Sequence, residues 1–167
     1  MNAQAHPRLA MRPFLAEDAP LLADIFRASV EELTGDDYSE AQQEAWAATA
    51  DDTAAFAKTL GGQLTLVATM EGSPVGFAAL EGKDKIAMLY VHPAAAGQGV
   101  AAMLVDALEK LAGARGAEQL SVDASDTAQG FFQKRGYVAQ QRNSTAAGGE
   151  WLANTTMHKQ LAPREAS

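Results

Sequence analysis

The run from Met88 to Leu104 constrains the fold of this chain more than any other stretch. Met88-Leu89-Tyr90-Val91 reads as an apolar strand, and His92-Pro93 ends it. Ala96-Gly97-Gln98-Gly99 then turns the chain into an amphipathic helix that the spacing carries over Gln98–Ala112. Strand, glycine loop and helix in succession mark an α/β protein. Gly97 and Gly99 allow a tight turn and close approach of a ligand to the backbone. The helix directs its unpaired N–H groups and the positive end of its dipole into the loop, where a phosphate or pyrophosphate would sit.

The elements around this unit follow from patterning. Leu9–Phe14 reads as a strand, and Glu17-Asp18 open a helix with Leu21, Leu22, Ile25, Phe26, Val30 and Leu33 at helical spacing. Ser39 and Gln42 form a capping box for a second helix, and a third runs from Asp51-Asp52 to Gly61-Gly62. Leu64–Met70 and Val75–Leu80 make a hairpin, and Ile86–Val91 continues an antiparallel meander into the glycine loop. Strand Gln119–Asp123 follows, then a helix capped by Ser125 and ending near Arg135. Strands Tyr137–Arg142 and Trp151–Gln160 close the chain around a flexible Ser144–Gly149 loop. Residues 1–7 read as a disordered lead-in and Pro163–Ser167 as a tail. Residues 8–161 are expected to form one domain, as the length of 167 residues suggests.

Composition removes several function classes. There is no cysteine, so no disulfide, thiolate nucleophile or cysteine metal site exists, and His6, His92 and His158 have no ligand spacing, so no metal is expected. A net charge of −8 argues against grasping a nucleic-acid backbone. No apolar run reaches 18 residues and Met1–Ala10 lacks a signal-peptide core, so no membrane partner and a cytoplasmic location are expected.

Gly97-x-Gly99-x-x-Ala102, with Asp123 ending the next strand, also fits a dinucleotide-binding fingerprint. That reading requires the unit to begin a parallel, doubly wound sheet. Here three meander strands precede it, which disfavours the nicotinamide alternative.

Val91-x-Pro93 followed by Gly97-x-Gly99-x-Ala101 resembles motif A of the GNAT acyltransferases, and Ser125-x-x-Ala128-x-x-Phe131-Phe132-x-x-x-Gly136-Tyr137 resembles that family's second signature. The order of elements matches over nearly the whole chain. Tyr38-Ser39, Trp46-Ala47 and Glu150-Trp151-Leu152-Ala153-Asn154 look like a subgroup of small bacterial GNAT proteins. The resemblance implies a mixed, largely antiparallel sheet splayed between its fourth and fifth strands, with acetyl-CoA as co-substrate in the gap. It implies pyrophosphate on the amides of Gly97, Gln98, Gly99, Val100, Ala101 and Ala102, and pantetheine along Leu89, Tyr90 and Val91, flanked by Ser125 and Phe132. Tyr38, Trp46 and Trp151 would contact a small-molecule or peptide amine acceptor, and a homodimer is an open expectation. Three positions depart from the family pattern: Ala96 replaces the usual glutamine or arginine, Phe132 the tyrosine often proposed as general acid, and Ala87 a frequent carboxylate.

Acetyl transfer needs a neutral amine, and deprotonating an ordinary alkyl amine at pH 7 costs roughly 4 to 5 kcal/mol. Asp123 at the end of the fifth strand is the first candidate base, with an N-cap or Asx turn as its plain alternative. Tyr90 and Glu150 are further candidates, against roles in the core and in a solvated loop; His92 reads as a solvated loop histidine. A non-catalytic acyl-CoA sensor is the competing function.

Overall fold

The computed structural model describes residues 8–161. The lead-in and the tail read from the sequence lie outside the described residues. Strand β1 (Leu9–Pro13) leads through a 3-10 turn into helices α1 (Ala19–Leu33), α2 (Glu40–Ala47) and α3 (Thr53–Gly61). The meander β2 (Leu64–Met70), β3 (Ser73–Glu81) and β4 (Lys85–Val91) precedes α4 (Val100–Ala114), β5 (Gln119–Ser125) and α5 (Gln129–Lys134). The hairpin β6 (Val138–Ala147) and β7 (Glu150–Gln160) ends the fold.

The seven strands lie in the order β1-β2-β3-β4-β5-β7-β6. Every neighbouring pair is antiparallel except β4 and β5. A doubly wound dinucleotide fold is therefore excluded. Strand alternation divides the core into two layers. Ala78 and Leu80 of β3 pack with Leu104, Val105 and Leu108 of α4, whereas Phe77 and Ala79 pack with Leu22, Ile25 and Phe26 of α1 and with Phe56 and Leu60 of α3. Leu21 and Leu33, placed on the apolar stripe by spacing, are exposed at the stripe's margins. Below α1, Asp18 is buried and accepts from both Arg12 guanidinium nitrogens and from the Leu15 N–H. The hydrogen bond from Arg12 holds its carboxyl below the ordinary 3.8.

Several boundaries differ from the sequence reading, and those near the opening of the sheet matter most. Helix α4 starts at Val100, because Gly99 sits at φ 86° as its left-handed N-cap and leaves Gln98 in the loop. β5 runs on to Ser125, whose partner in the β7 ladder is Asn154. Ser125 Oγ accepts from the Ala128 N–H and closes a turn there, so α5 is one short helix and Ser125 is not its cap. The segment read as a flexible loop continues β6 to Ala147, and a two-glycine turn returns it into β7. Gly148 and Gly149, at φ 52° and 84°, supply the two left-handed residues of a tight hairpin turn.

Candidate active site

The parallel β4–β5 ladder contains two residue pairs, Lys85↔Ser121 and Ile86↔Val122, and then stops. Beyond it the strands diverge, so the main chain of Leu89, Tyr90 and Val91 is paired on its β3 side alone, with Ala78, Phe77 and Gly76. A bulge helps to shape this gap. Ala79 pairs with Met88 and Leu80 with Ile86, which leaves Ala87 as the extra residue of β4. Ile86, Leu89 and Val91 consequently join the α4 layer, while Ala87, Met88 and Tyr90 face the layer of α1 and α3.

A cavity of about 270 Å³ fills the opening. Its walls come from β4, from Val122–Ser125 of β5, from Phe132, and from the β6–β7 hairpin through Thr145–Ala147 and Leu152–Asn154. A second space of about 310 Å³ adjoins it, and Trp46, Thr49, Ala87, Met88 and Tyr90 line both. At the C-terminal end of β4, Gly97 and Gly99 adopt φ 77° and 86°, and a side chain at either would project into open space. The first α4 hydrogen bond of this turn runs from the Met103 N–H to the Gly99 carbonyl. The N–H groups of Val100, Ala101 and Ala102 therefore point out of the helix end, as an anion cradle requires.

The candidate side chains separate on this geometry. Asp123 lines the cavity with its side chain 41% exposed. Its Oδ1 accepts from the Thr156 hydroxyl at 2.6 Å and its Oδ2 lies 3.4 Å from Lys85 Nζ, so it belongs to the strand ladder and caps no helix. Tyr90 is half-buried, with its ring 4.5 Å from that of Phe26 and 5.7 Å from that of Phe77. Burial pushes its hydroxyl up to about 12, with Trp46 opposing, so it keeps its proton at neutral pH, which favours a place in the aromatic wall over the role of base. Tyr38 is buried; its hydroxyl donates to the Ala153 carbonyl at 2.6 Å and accepts from the Asp126 N–H at 2.9 Å. It thereby ties the α1–α2 connection to both walls, with Trp46 edge-on against it at 5.2 Å.

Of the other candidates, Phe132 lines the first cavity, while Trp151, Glu150 and His92 line neither. Trp151 is 65% exposed and lies outside both cavities, because strand alternation turns the neighbouring Leu152 inward instead. Glu150 sits at the hairpin turn, also outside both cavities. His92 Nδ1 accepts from the Ala94 N–H and caps the turn after β4. Phe132 is buried, packed edge-on against Phe131 and Tyr137, and has no hydroxyl to offer. Sequence reasoning missed the contribution of Thr145–Ala147, since it took the end of that strand for a loop where Gly148-Gly149 was the available signal, and it placed Leu152 and Asn154 on a strand without a role in the site. It also missed Lys85 and Thr156, which reach Asp123 from adjacent strands and leave no trace in local spacing.

A mixed sheet opened beside its parallel pair, with a glycine-turned helix N-terminus at the mouth, defines a GNAT-type acyltransferase fold. The chain belongs to the GNAT acetyltransferase family, whose domain model matches residues 34–161. A GCN5-related N-acetyltransferase from Rhodopseudomonas palustris, also described as a class-II aminotransferase, is 63% identical and superposes with a TM-score of 0.91 over 96% of this chain and 99% of its own. The uncharacterized N-acetyltransferase YafP of Escherichia coli K12 is 30% identical over 89% of this chain and 94% of its own. The PaiA N-acetyltransferase of Thermoplasma acidophilum, in complex with coenzyme A, shares the fold at 18% identity, with a TM-score of 0.76 over 92% of this chain and 99% of its own.

Proposed function

We propose that this protein transfers the acetyl group of acetyl-CoA to a primary amine by direct attack in a ternary complex. The observation that carries the reading is the opening between β4 and β5, with an unpaired strand edge on one side and an anion cradle at its mouth. The coenzyme A held by the Thermoplasma relative supports the choice of donor. The amides from Gly97 to Ala102 hold the pyrophosphate, and Leu89–Val91 pair with pantetheine as they would with an added strand.

The amine nitrogen attacks the thioester carbonyl carbon, and a main-chain N–H of β4 near the bulge steadies the oxyanion. The carbon–sulfur bond then breaks, and coenzyme A leaves as its thiolate. A thiol of pKa near 8.5 leaves without a dedicated acid, so Phe132 is compatible with turnover. Asp123 takes the proton from nitrogen, directly or through water.

A sensor that holds acyl-CoA without transferring it is favoured by Ala87, Ala96 and Phe132. Thiol release from acetyl-CoA over a panel of amines, with calorimetry against coenzyme A and NADH, decides between these readings. Acceptor-dependent release above the hydrolysis background is expected and rejects the sensor. Binding of NADH in place of coenzyme A overturns both.

A further inference from the structure

The second cavity narrows what the acceptor can be. Phe26, Trp46, Phe56 and Tyr90 supply aromatic walls, and Ala87 and Met88 close it against the bulge beside which the thioester would lie. The rings stand edge-on or tilted to one another, with centroids of Phe26 and Phe56 6.1 Å apart and of Trp46 and Tyr90 6.5 Å apart. Among the described residues lining the two spaces, Asp123 is the one charged side chain, and it lines the first. No carboxylate in the second wall is placed to meet an ammonium group, which a polyamine or an aminoglycoside would bring into it.

A second observation points the same way. An alkyl ammonium must lose its proton before it can attack, and that calls for a base poised near neutrality. Tyr90 holds its proton, position 87 of the bulge is alanine, and Asp123, held by Thr156 and Lys85, lines the first cavity, so the second cavity itself offers no base. An aromatic amine needs no such step. Its nitrogen lone pair is free at neutral pH, and its flat ring matches a cavity with aromatic walls.

We infer that the acceptor is a primary aromatic amine, its ring held among Phe26, Trp46, Phe56 and Tyr90 and its nitrogen directed at the β4 bulge. This rests on the acetyltransferase reading above. The amine nitrogen forms the new bond to the acetyl carbon, the carbon–sulfur bond breaks with its electron pair on sulfur, and the proton released from nitrogen passes to Asp123 or water. The products are the N-aryl acetamide and coenzyme A.

The test uses 4-methoxyaniline, benzylamine and spermidine as probes on the full chain loaded with coenzyme A, or with acetyl-CoA for turnover. Calorimetry should show 4-methoxyaniline binding at least ten-fold tighter than spermidine, and Trp46→Ala should erase that preference, read as the ratio of the two affinities. In turnover, kcat/KM for 4-methoxyaniline should stay flat from pH 6.5 to 9, whereas that for benzylamine should climb with pH as its neutral fraction grows. Aromatic-amine binding without thiol release, while another amine of the panel is acetylated, would overturn the aromatic acceptor and leave the transferase reading standing. Spermidine binding as tightly as 4-methoxyaniline, or a preference that survives Trp46→Ala, would overturn the inference whatever the turnover.

Discussion

Asp123 shows how one residue can be found in a sequence while its partners stay hidden. Its place late in the fifth strand beside the opening is legible from the position of that strand, but its partners are not. Thr156 and Lys85 come from two other strands, and only the sheet order brings them within 2.6 and 3.4 Å. The two roles open to this carboxylate make different predictions. As proton acceptor, Asp123→Asn lowers kcat on the order of 10²-fold while leaving acetyl-CoA affinity intact. As a ladder residue joining β4, β5 and β7, the same change shifts thermal stability and spares turnover. Steady-state kinetics beside a thermal scan separates them, and we expect the first pattern. Asp18 gives a stability counterpart. Its carboxyl titrates lower in the folded state than in the unfolded chain, so its contribution is full above about pH 4 and is lost as the pH falls through the depressed value. Asp18→Asn should therefore destabilise the protein at pH 7 by roughly 1 to 3 kcal/mol, with much of the difference gone at pH 2, as urea unfolding at the two pH values would show.

At the scale of elements, strands and helices were read most securely where periodicity and capping agreed. The Ser39–Gln42 capping box of α2 is formed as the sequence predicts, with the Ser39 hydroxyl accepting from the Gln42 N–H and the Gln42 amide from the Ser39 N–H. Ends failed where tertiary pairing, which spacing does not encode, decided them: the β7 ladder carried β5 to Ser125 and β6 to Ala147. The β4 bulge was hidden for the same reason, since Ala87 becomes an extra residue only in register with Leu80. Gly76 marks another such meeting. A Cβ there would lie 3.0 Å from the Tyr90 carbonyl oxygen and 3.1 Å from a Val100 methyl, so β3, β4 and the start of α4 converge on a spot that only glycine fits. Gly76→Ala should cost about 1 to 3 kcal/mol in denaturant unfolding and weaken coenzyme A binding several-fold by displacing the cradle. Unchanged affinity in a clearly destabilised variant would place the strain away from the α4 end.

Across the whole molecule, the family was legible because its two signatures and its element order span most of the chain, whereas the full lining of the two adjoining cavities was not. Their walls are drawn from α1, α2, α3, β4 and the terminal hairpin, segments up to 128 positions apart by number, from Phe26 to Asn154. The opening beside β4 has a further consequence for how the molecule behaves when empty. Five of the seven residues of β4 lack a partner on the β5 side, so the two portions of the sheet are joined there by a two-residue seam. Amide protons on that edge have water as their alternative partner and should trade with deuterium readily in the free protein. A donor thioester lying along Leu89–Val91 completes the ladder, so it should slow exchange there and raise the melting temperature in proportion to the logarithm of its concentration above Kd. The cosubstrate would then act as an eighth strand, one that the protein must surrender after every turnover.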